Sequence, residues 1–253
     1  MVSDNLKALY EKLPSGVKLV AVSKFHPVSR LMEAYDAGQR RFGENRPQEL
    51  AQKVPQMPSD VEWHFIGHLQ TNKLKLVLPY VSMVQSVDSF HLLEAIDKWG
   101  KDNGKIVDIL LELHLGAEET KHGFSEEDIL LCYGRAPSET LRSQSDLRPS
   151  HKWAPPSNVP RVAQVSEGAL PPLENVRIRG LMGMATNTED EEVIEADFAR
   201  IEALYKRIRA EHPELAETFT ELSIGMSGDW PIAVRHGATM VRIGTDIFGA
   251  REY

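Results

Sequence analysis

From residue 18 to the carboxyl end, short apolar runs rich in β-branched residues alternate with longer amphipathic stretches, and few folds accommodate that rhythm. The runs are Lys18–Ser23, Arg41–Gly43, Glu62–Ile66, Met83–Val87, Ile106–Leu113, Val176–Met184, Phe219–Ile224 and Met240–Ile243. Helical patterns at Ser29–Ala37, Gln48–Val54, Asn72–Leu78, Phe90–Asp102 and Glu191–Glu211 lie between them. In the last of these, Val193, Ala196, Phe198, Ile201, Leu204, Tyr205 and Ile208 recur at spacings of three and four, which predicts one apolar face. Thr188 is the expected cap, and the acids Glu189, Asp190, Glu191 and Glu192 sit at that helix's positive end. Strand–helix alternation implies parallel strands, because each crossover must return the chain to the same edge. Eight strands in 253 residues predict an α/β fold, a single (β/α)8 TIM-type barrel spanning residues 1–253. A doubly wound open sheet is the alternative, weakened because no Gly-x-Gly-x-x-Gly turn follows the first run.

One stretch interrupts the rhythm. Residues 133–172 hold Pro137, Pro149, Pro155, Pro156, Pro160, Pro171 and Pro172, seven of the chain's 15 prolines. Proline removes backbone donors and disfavours helix at the residue before it, so an exposed, partly disordered insertion between strands five and six is expected. The segment before Lys18 is short, which predicts a barrel bottom with little cover. A formal net charge of −8 argues against a nucleic-acid partner, since phosphate backbones recruit clustered Lys and Arg. The lone Cys132 cannot form an internal disulfide, which favours a reducing, cytoplasmic setting. No apolar run approaches the ~18 residues that span a bilayer, and Met1–Leu13 lacks a signal peptide's apolar core, so no membrane partner is expected.

In a (β/α)8 barrel the chemistry sits at the carboxyl ends of the strands. The first run ends in Lys24, whose amine could condense with a carbonyl if burial or nearby cations lowered its pKa; a solvated lysine leaving a strand explains the same residue. The second run ends at Gly43-Glu44-Asn45, where Asn45 offers both a donor and an acceptor, or simply caps the next helix. After the third run, His64 and His68 are four apart, but Gly67 breaks the helix that would align them. No further Cys, Asp or Glu stands at ligand spacing, so no metal site is expected. The last quarter is the most informative. Gly225-Met226-Ser227-Gly228-Asp229 follows strand seven, and Arg242-Ile243-Gly244-Thr245 ends strand eight. Loops after these two strands are where such barrels commonly bind phosphate, although two ordinary tight turns remain the alternative. A lysine on strand one, an arginine on strand eight and a phosphate cradle between strands seven and eight point to a cofactor with an aldehyde and a phosphate. Pyridoxal 5′-phosphate has both.

With those residues in view, the chain resembles the pyridoxal phosphate homeostasis protein family, whose barrel is that of the alanine racemase amino-terminal domain. The matching motifs are Ala21-Val22-Ser23-Lys24, Phe42-Gly43-Glu44-Asn45, Trp63-His64-Phe65-Ile66-Gly67, Glu119-Thr120-Lys121-His122-Gly123, Gly180-Leu181-Met182-Gly183-Met184, Gly225-Met226-Ser227-Gly228-Asp229 and Val241-Arg242-Ile243-Gly244-Thr245. They run in order from about Leu19 to the carboxyl terminus, the proline-rich stretch excepted. The resemblance implies that Lys24 carries the cofactor as an internal aldimine, with Asn45 beside it and Met226 against its ring. It further implies that Ser227, Gly244 and Thr245 hold the phosphate and that Arg242 faces the pyridine nitrogen. The protein so implied is not an enzyme but a carrier that maintains intracellular pyridoxal phosphate and passes it to apo-enzymes, acting as a monomer. Two enzyme readings stand beside it, an amino-acid racemase-like activity and a Schiff-base aldolase. A racemase needs two positioned proton-transfer groups, and the sequence offers a firm candidate only in Lys24. The second, β-rich domain of such enzymes is also not expected, because the chain ends at Tyr253.

Overall fold

The computed structural model describes residues 1–116, 122–133 and 173–249. Eight parallel strands close into a barrel in sequence order: β1 (Lys18–Val22), β2 (Arg41–Glu44), β3 (Glu62–Phe65), β4 (Met83–Val87), β5 (Val107–Leu113), β6 (Val176–Gly183), β7 (Glu221–Ser223) and β8 (Met240–Ile243). The closing pair is β1 with β8, in register Lys18↔Met240 to Ala21↔Ile243. Nearly every expected strand lies within a residue or so of its observed bounds. The seventh is the exception, regular only over Glu221–Ser223 where Phe219–Ile224 is expected. Residues 134–172 of the expected insertion lie outside the described residues.

The helices α2 (Val28–Asp36), α3 (Pro47–Lys53), α5 (Phe90–Asn103) and α7 (Glu191–Glu211) fall where the periodicity places them. Expected helix 72–78 is shorter, a 3-10 turn at Thr71–Lys73 leading into α4 (Leu74–Val77). Two details of α7 correct the sequence reading. Its buried seam is Ile194, Phe198, Ile201, Leu204 and Ile208, while Val193 and Ala196 face solvent. Its cap is Asp190, whose side chain accepts from the Glu192 N–H; Thr188 acts one step earlier, accepting from the Asp190 N–H. Aspartate and threonine both cap well, and sequence alone does not say which begins the first turn. The amino-terminal segment folds as α1 (Val2–Lys12), buries Val2, Leu6 and Leu9, and packs against α2 and α9 (Thr245–Phe248). It thus completes the helical ring between the first and last βα units. The remaining described helices are α6 (Glu126–Leu131) and α8 (Trp230–Arg235). Among the described residues, no helix is long and apolar enough to cross a membrane.

Successive strand residues point to opposite faces, so each barrel strand gives one set outward to the helices and the other inward. Val20, Met83, Leu110, Met182 and Met240 form a small apolar cluster separate from the main core, and they fill the barrel interior. Two residues further along three of these strands lie buried polar groups: Gln85 on β4, Glu112 on β5 and Arg242 on β8. At the opposite end Lys18 and Glu221 form an ion pair between β1 and β7, while Arg41–Glu62 and Arg177–Asp108 pair across adjacent strands. The interior is therefore ion-paired at its amino-terminal end, apolar in the middle and polar towards the carboxyl end.

One glycine is dictated by backbone contact. The β5–β6 register shifts between Ile109↔Ile178 and Leu110↔Gly180, and a Cβ at Gly180 would stand 1.7 Å from the Glu221 carbonyl oxygen. The clash is with the neighbouring strand's backbone, which cannot rotate away. Gly180→Ala is expected to cost about 3 kcal/mol or more. Urea unfolding followed by circular dichroism measures this, and an unchanged midpoint would contradict the packing described.

Candidate functional site

Lys24 lies beyond the end of β1, four residues on from the inward-facing Val20. The turn that presents it is tightly held. His26 N–H donates to the Ser23 carbonyl at 3.1 Å, and Phe25 has a φ of +69°, a strained value for a bulky residue. Glu49 on α3 accepts the Phe25 N–H at 2.7 Å, and the Arg46 guanidinium lies 4.5 Å from the Phe25 ring centroid. Beneath the turn the buried ammonium of Lys53 donates to the Ser23 carbonyl (2.8 Å), Glu44 Oε1 (2.8 Å) and Glu49 Oε1 (2.6 Å). An ammonium has three donors, and here each has an acceptor. Burial pushes the Glu44 carboxyl above its usual range, opposed by Lys53 and by the Ser23 hydroxyl donating at 2.6 Å.

Across the mouth, the loops after β7 and β8 are built on one another. Gly225 has a φ of +94°, and a Cβ there would meet Ala233 and Trp230 on α8 at 2.7 and 3.0 Å. Asp229 accepts the Met226 N–H through Oδ1 at 2.5 Å, and the Arg242 N–H donates to the Gly225 carbonyl at 2.9 Å. No described residue accepts from the backbone N–H of Ser227, Gly228 or Thr245. Three such donors, with the hydroxyls of Ser227 and Thr245, suit an anionic oxygen group.

Arg242 reaches into the interior below this loop. One guanidinium nitrogen donates to the Ser223 carbonyl and hydroxyl, both at 2.7 Å, and another donates to the Gly183 carbonyl at 2.9 Å. The Ser223 hydroxyl then donates to Gln85 Oε1 at 2.7 Å, and Gln85 Nε2 donates to His64 Nδ1 at 2.7 Å. Because arginine only donates, each step of this chain is fixed in direction, and His64 must keep Nδ1 unprotonated. Burial, with the charges of Arg41 and Lys18, lowers His64 to about 3 and keeps it neutral. Burial also lowers Arg242 to about 10, against the charges of Glu112 and Asp229, so it stays a cation at neutral pH.

Lys24, Met226, Ser227, Arg242, Gly244 and Thr245, six of the seven residues expected from sequence, line one cavity of about 230 Å³. The seventh, Asn45, lines an adjoining cavity of about 310 Å³ that shares Lys24, Ile66 and Met184 with the first. Buried Asn45 Oδ1 and His114 Nδ1 have no hydrogen-bond partner among the described residues. Glu112 also lines the second cavity, and burial with the nearby charge of Asp88 pushes its carboxyl up to about 7, against Arg242. The sequence reading passed over Glu112, although an acid inside Ile109-Leu110-Leu111-Glu112-Leu113, in phase with the inward Leu110, is a legible signal. His64 and His68 do not pair: the first is in the barrel interior, and the second lies beyond β3 against Asp88.

Residues 1–142 match the family model described as alanine racemase, N-terminal domain. A Haemophilus influenzae protein named pyridoxal phosphate homeostasis protein is 32% identical over 265 aligned positions, covering 100% of this chain and 97% of its own length. Its Escherichia coli namesake is 32% identical, covering 95% of this chain and 88% of its own. Among solved structures, PipY of Synechococcus elongatus with pyridoxal phosphate bound superposes with a TM-score of 0.75 at 33% identity, covering 98% of this chain and all of its own. A Clostridium difficile alanine racemase shares the fold at 11% identity and a TM-score of 0.67, with 60% of its length covered.

Lys53→Met leaves Glu44 buried without its cation and is expected to cost about 3–5 kcal/mol near neutral pH. A carboxyl whose folded-state pKa is raised binds its proton more tightly folded than unfolded, so it favours folding at low pH and loses that effect as pH rises through the folded value. The variant's deficit in urea unfolding should therefore shrink on going from pH 8 to pH 5, and an equal deficit at both would contradict the network.

Proposed function

Because the chain belongs to the pyridoxal phosphate homeostasis protein family, built on the alanine racemase N-terminal domain, we propose that it binds pyridoxal 5′-phosphate covalently through Lys24 and maintains its supply as a carrier rather than a catalyst. One observation carries this reading. A single cavity brings an amine from the end of β1 to face hydroxyls and unengaged backbone donors from the loops after β7 and β8, with the buried Arg242 cation below.

The cofactor supplies an aldehyde that condenses with a primary amine, with loss of water, and a phosphate that fixes its place. Lys24 provides the amine, and the Phe25 turn, anchored to Glu49 and Lys53, sets where that amine stands. Ser227, Gly244 and Thr245 hold the phosphate through hydroxyl and backbone donors, and Met226 lies against the ring. Arg242, locked by Ser223 and Gly183, faces the ring nitrogen. A permanent cation at that position opposes ring protonation and so weakens the electron sink that carbanion chemistry requires. The site therefore favours retention over turnover, in keeping with relatives named homeostasis proteins. The second cavity reaches Lys24 from another side, with Asn45 on its wall, and gives an incoming amine room to take the cofactor over. The recipients in this reading are apo-enzymes, which the chain meets as a cytoplasmic monomer.

Lys24→Ala is expected to abolish the visible absorption that accompanies covalent attachment, and an unchanged spectrum would refute the assignment. Ser227→Ala combined with Thr245→Val removes two hydroxyl contacts to a charged group and should weaken cofactor binding by roughly tenfold or more. Equal affinity in an equilibrium titration would remove both residues from the phosphate site.

A further inference from the structure

Three consecutive βα loops each bring one potential metal ligand to the same point of the barrel mouth. His68 follows β3, Asp88 follows β4 and His122 follows β5. One donor atom from each lies within 4.8 Å of the other two. His68 Nδ1 and Asp88 Oδ2 are 2.6 Å apart, and the two imidazoles stack with centroids 4.2 Å apart and planes 17° from parallel. Only 5% of the Asp88 side chain is exposed, and its other oxygen accepts from the Ser89 hydroxyl at 3.2 Å. Ser89 in turn caps α5, accepting the Leu92 N–H. The loop that carries His68 is fixed as well, since the Ser86 hydroxyl donates to the Gly67 carbonyl at 2.5 Å.

We propose that His68, Asp88 and His122 form a binding site for a zinc-class divalent cation. Two imidazoles and one carboxylate are the donor set that zinc and other late first-row ions prefer, and three protein ligands leave a fourth position open. Donors around tetrahedral zinc stand ~3.3 Å apart, given metal–nitrogen bonds of about 2.0–2.1 Å. The present cluster closes to that size by rotation of the two histidine side chains, both of which are exposed. Binding would part the two stacked rings and release the His68–Asp88 hydrogen bond, so that a deprotonated nitrogen of each imidazole and the carboxylate turn onto the ion. The buried carboxylate, already oriented by Ser89, is the fixed point of the site, as outer-shell bonds orient ligands in metal centres generally. His68 and His122 also line the second cavity, which includes Lys24, so the open position lies at the wall of that cavity. This inference does not depend on the cofactor assignment, because none of the three ligands is assigned a role there.

Untagged full-length protein, stripped with a chelator and freed of cofactor, is titrated with Zn²⁺ against a chromophoric competitor. One ion per chain is expected to bind, with affinity falling at least ~10-fold in each of His68→Ala, His122→Ala and Asp88→Asn and unchanged in His91→Ala. Circular dichroism checks that each variant folds. Cobalt loading of the unaltered protein gives a second readout that needs no substitution, with intense tetrahedral d–d bands expected. Absence of stoichiometric Zn²⁺ binding, retention of affinity in the three variants, or a cobalt spectrum no different from the hydrated ion would each overturn the proposal.

Discussion

The ammonium of Lys53 organises the working end of this barrel. It lies under the turn after β1 and binds three acceptors from three elements: the Ser23 carbonyl at the end of β1, Glu44 at the end of β2 and Glu49 within α3. A buried ion pair gains little net stability, because desolvating the charges offsets most of their attraction. What it imposes is position. Glu49, which also receives Lys53, holds the Phe25 N–H, and that bond with the Arg46 contact supports the left-handed φ of Phe25. Lys24 stands one residue earlier, on the same turn.

A second constraint acts from the far side of the same mouth. The chain from Arg242 through Ser223 and Gln85 to His64 crosses the interior from β8 to β3, and every donor in it points the same way. Were His64 protonated, Gln85 would lose its acceptor, so the deep burial that suppresses that proton also keeps Arg242 in place. Arg242 is thus a fixed charge under the β7 and β8 loops and requires no rearrangement when a ligand enters. Lys24 and Arg242 are positioned by separate networks that meet at one cavity.

Much of this was legible in the sequence, for identifiable reasons. Short β-branched apolar runs mark β4 and β8 to the residue despite the inward Gln85 and Arg242, and the three-and-four spacing of apolar residues bounds α7. Strand β7 was overextended because Phe219 and Ile224 are buried as strand residues are, yet lie outside its ladder. Among candidate site residues, those on the strand ends and the two glycine-hydroxyl turns came together as expected. Asn45, one residue past the end of β2, lines the neighbouring cavity that shares Lys24. The cluster of His68, Asp88 and His122 was invisible for a different reason: each ligand comes from a different loop, so no spacing rule links them until the barrel closes. Sequence spacing weighs only the pair His64 and His68, and closure sets His68 instead beside Asp88 and His122.

The central claim is that one amine, at a turn held by a buried ammonium, is the covalent anchor for pyridoxal 5′-phosphate. Borohydride reduction of the cofactor-loaded protein, followed by peptide mass mapping, tests it most directly. The account predicts a single stable pyridoxyl adduct on the peptide containing Lys24. An adduct on another lysine, or none on any, would contradict it.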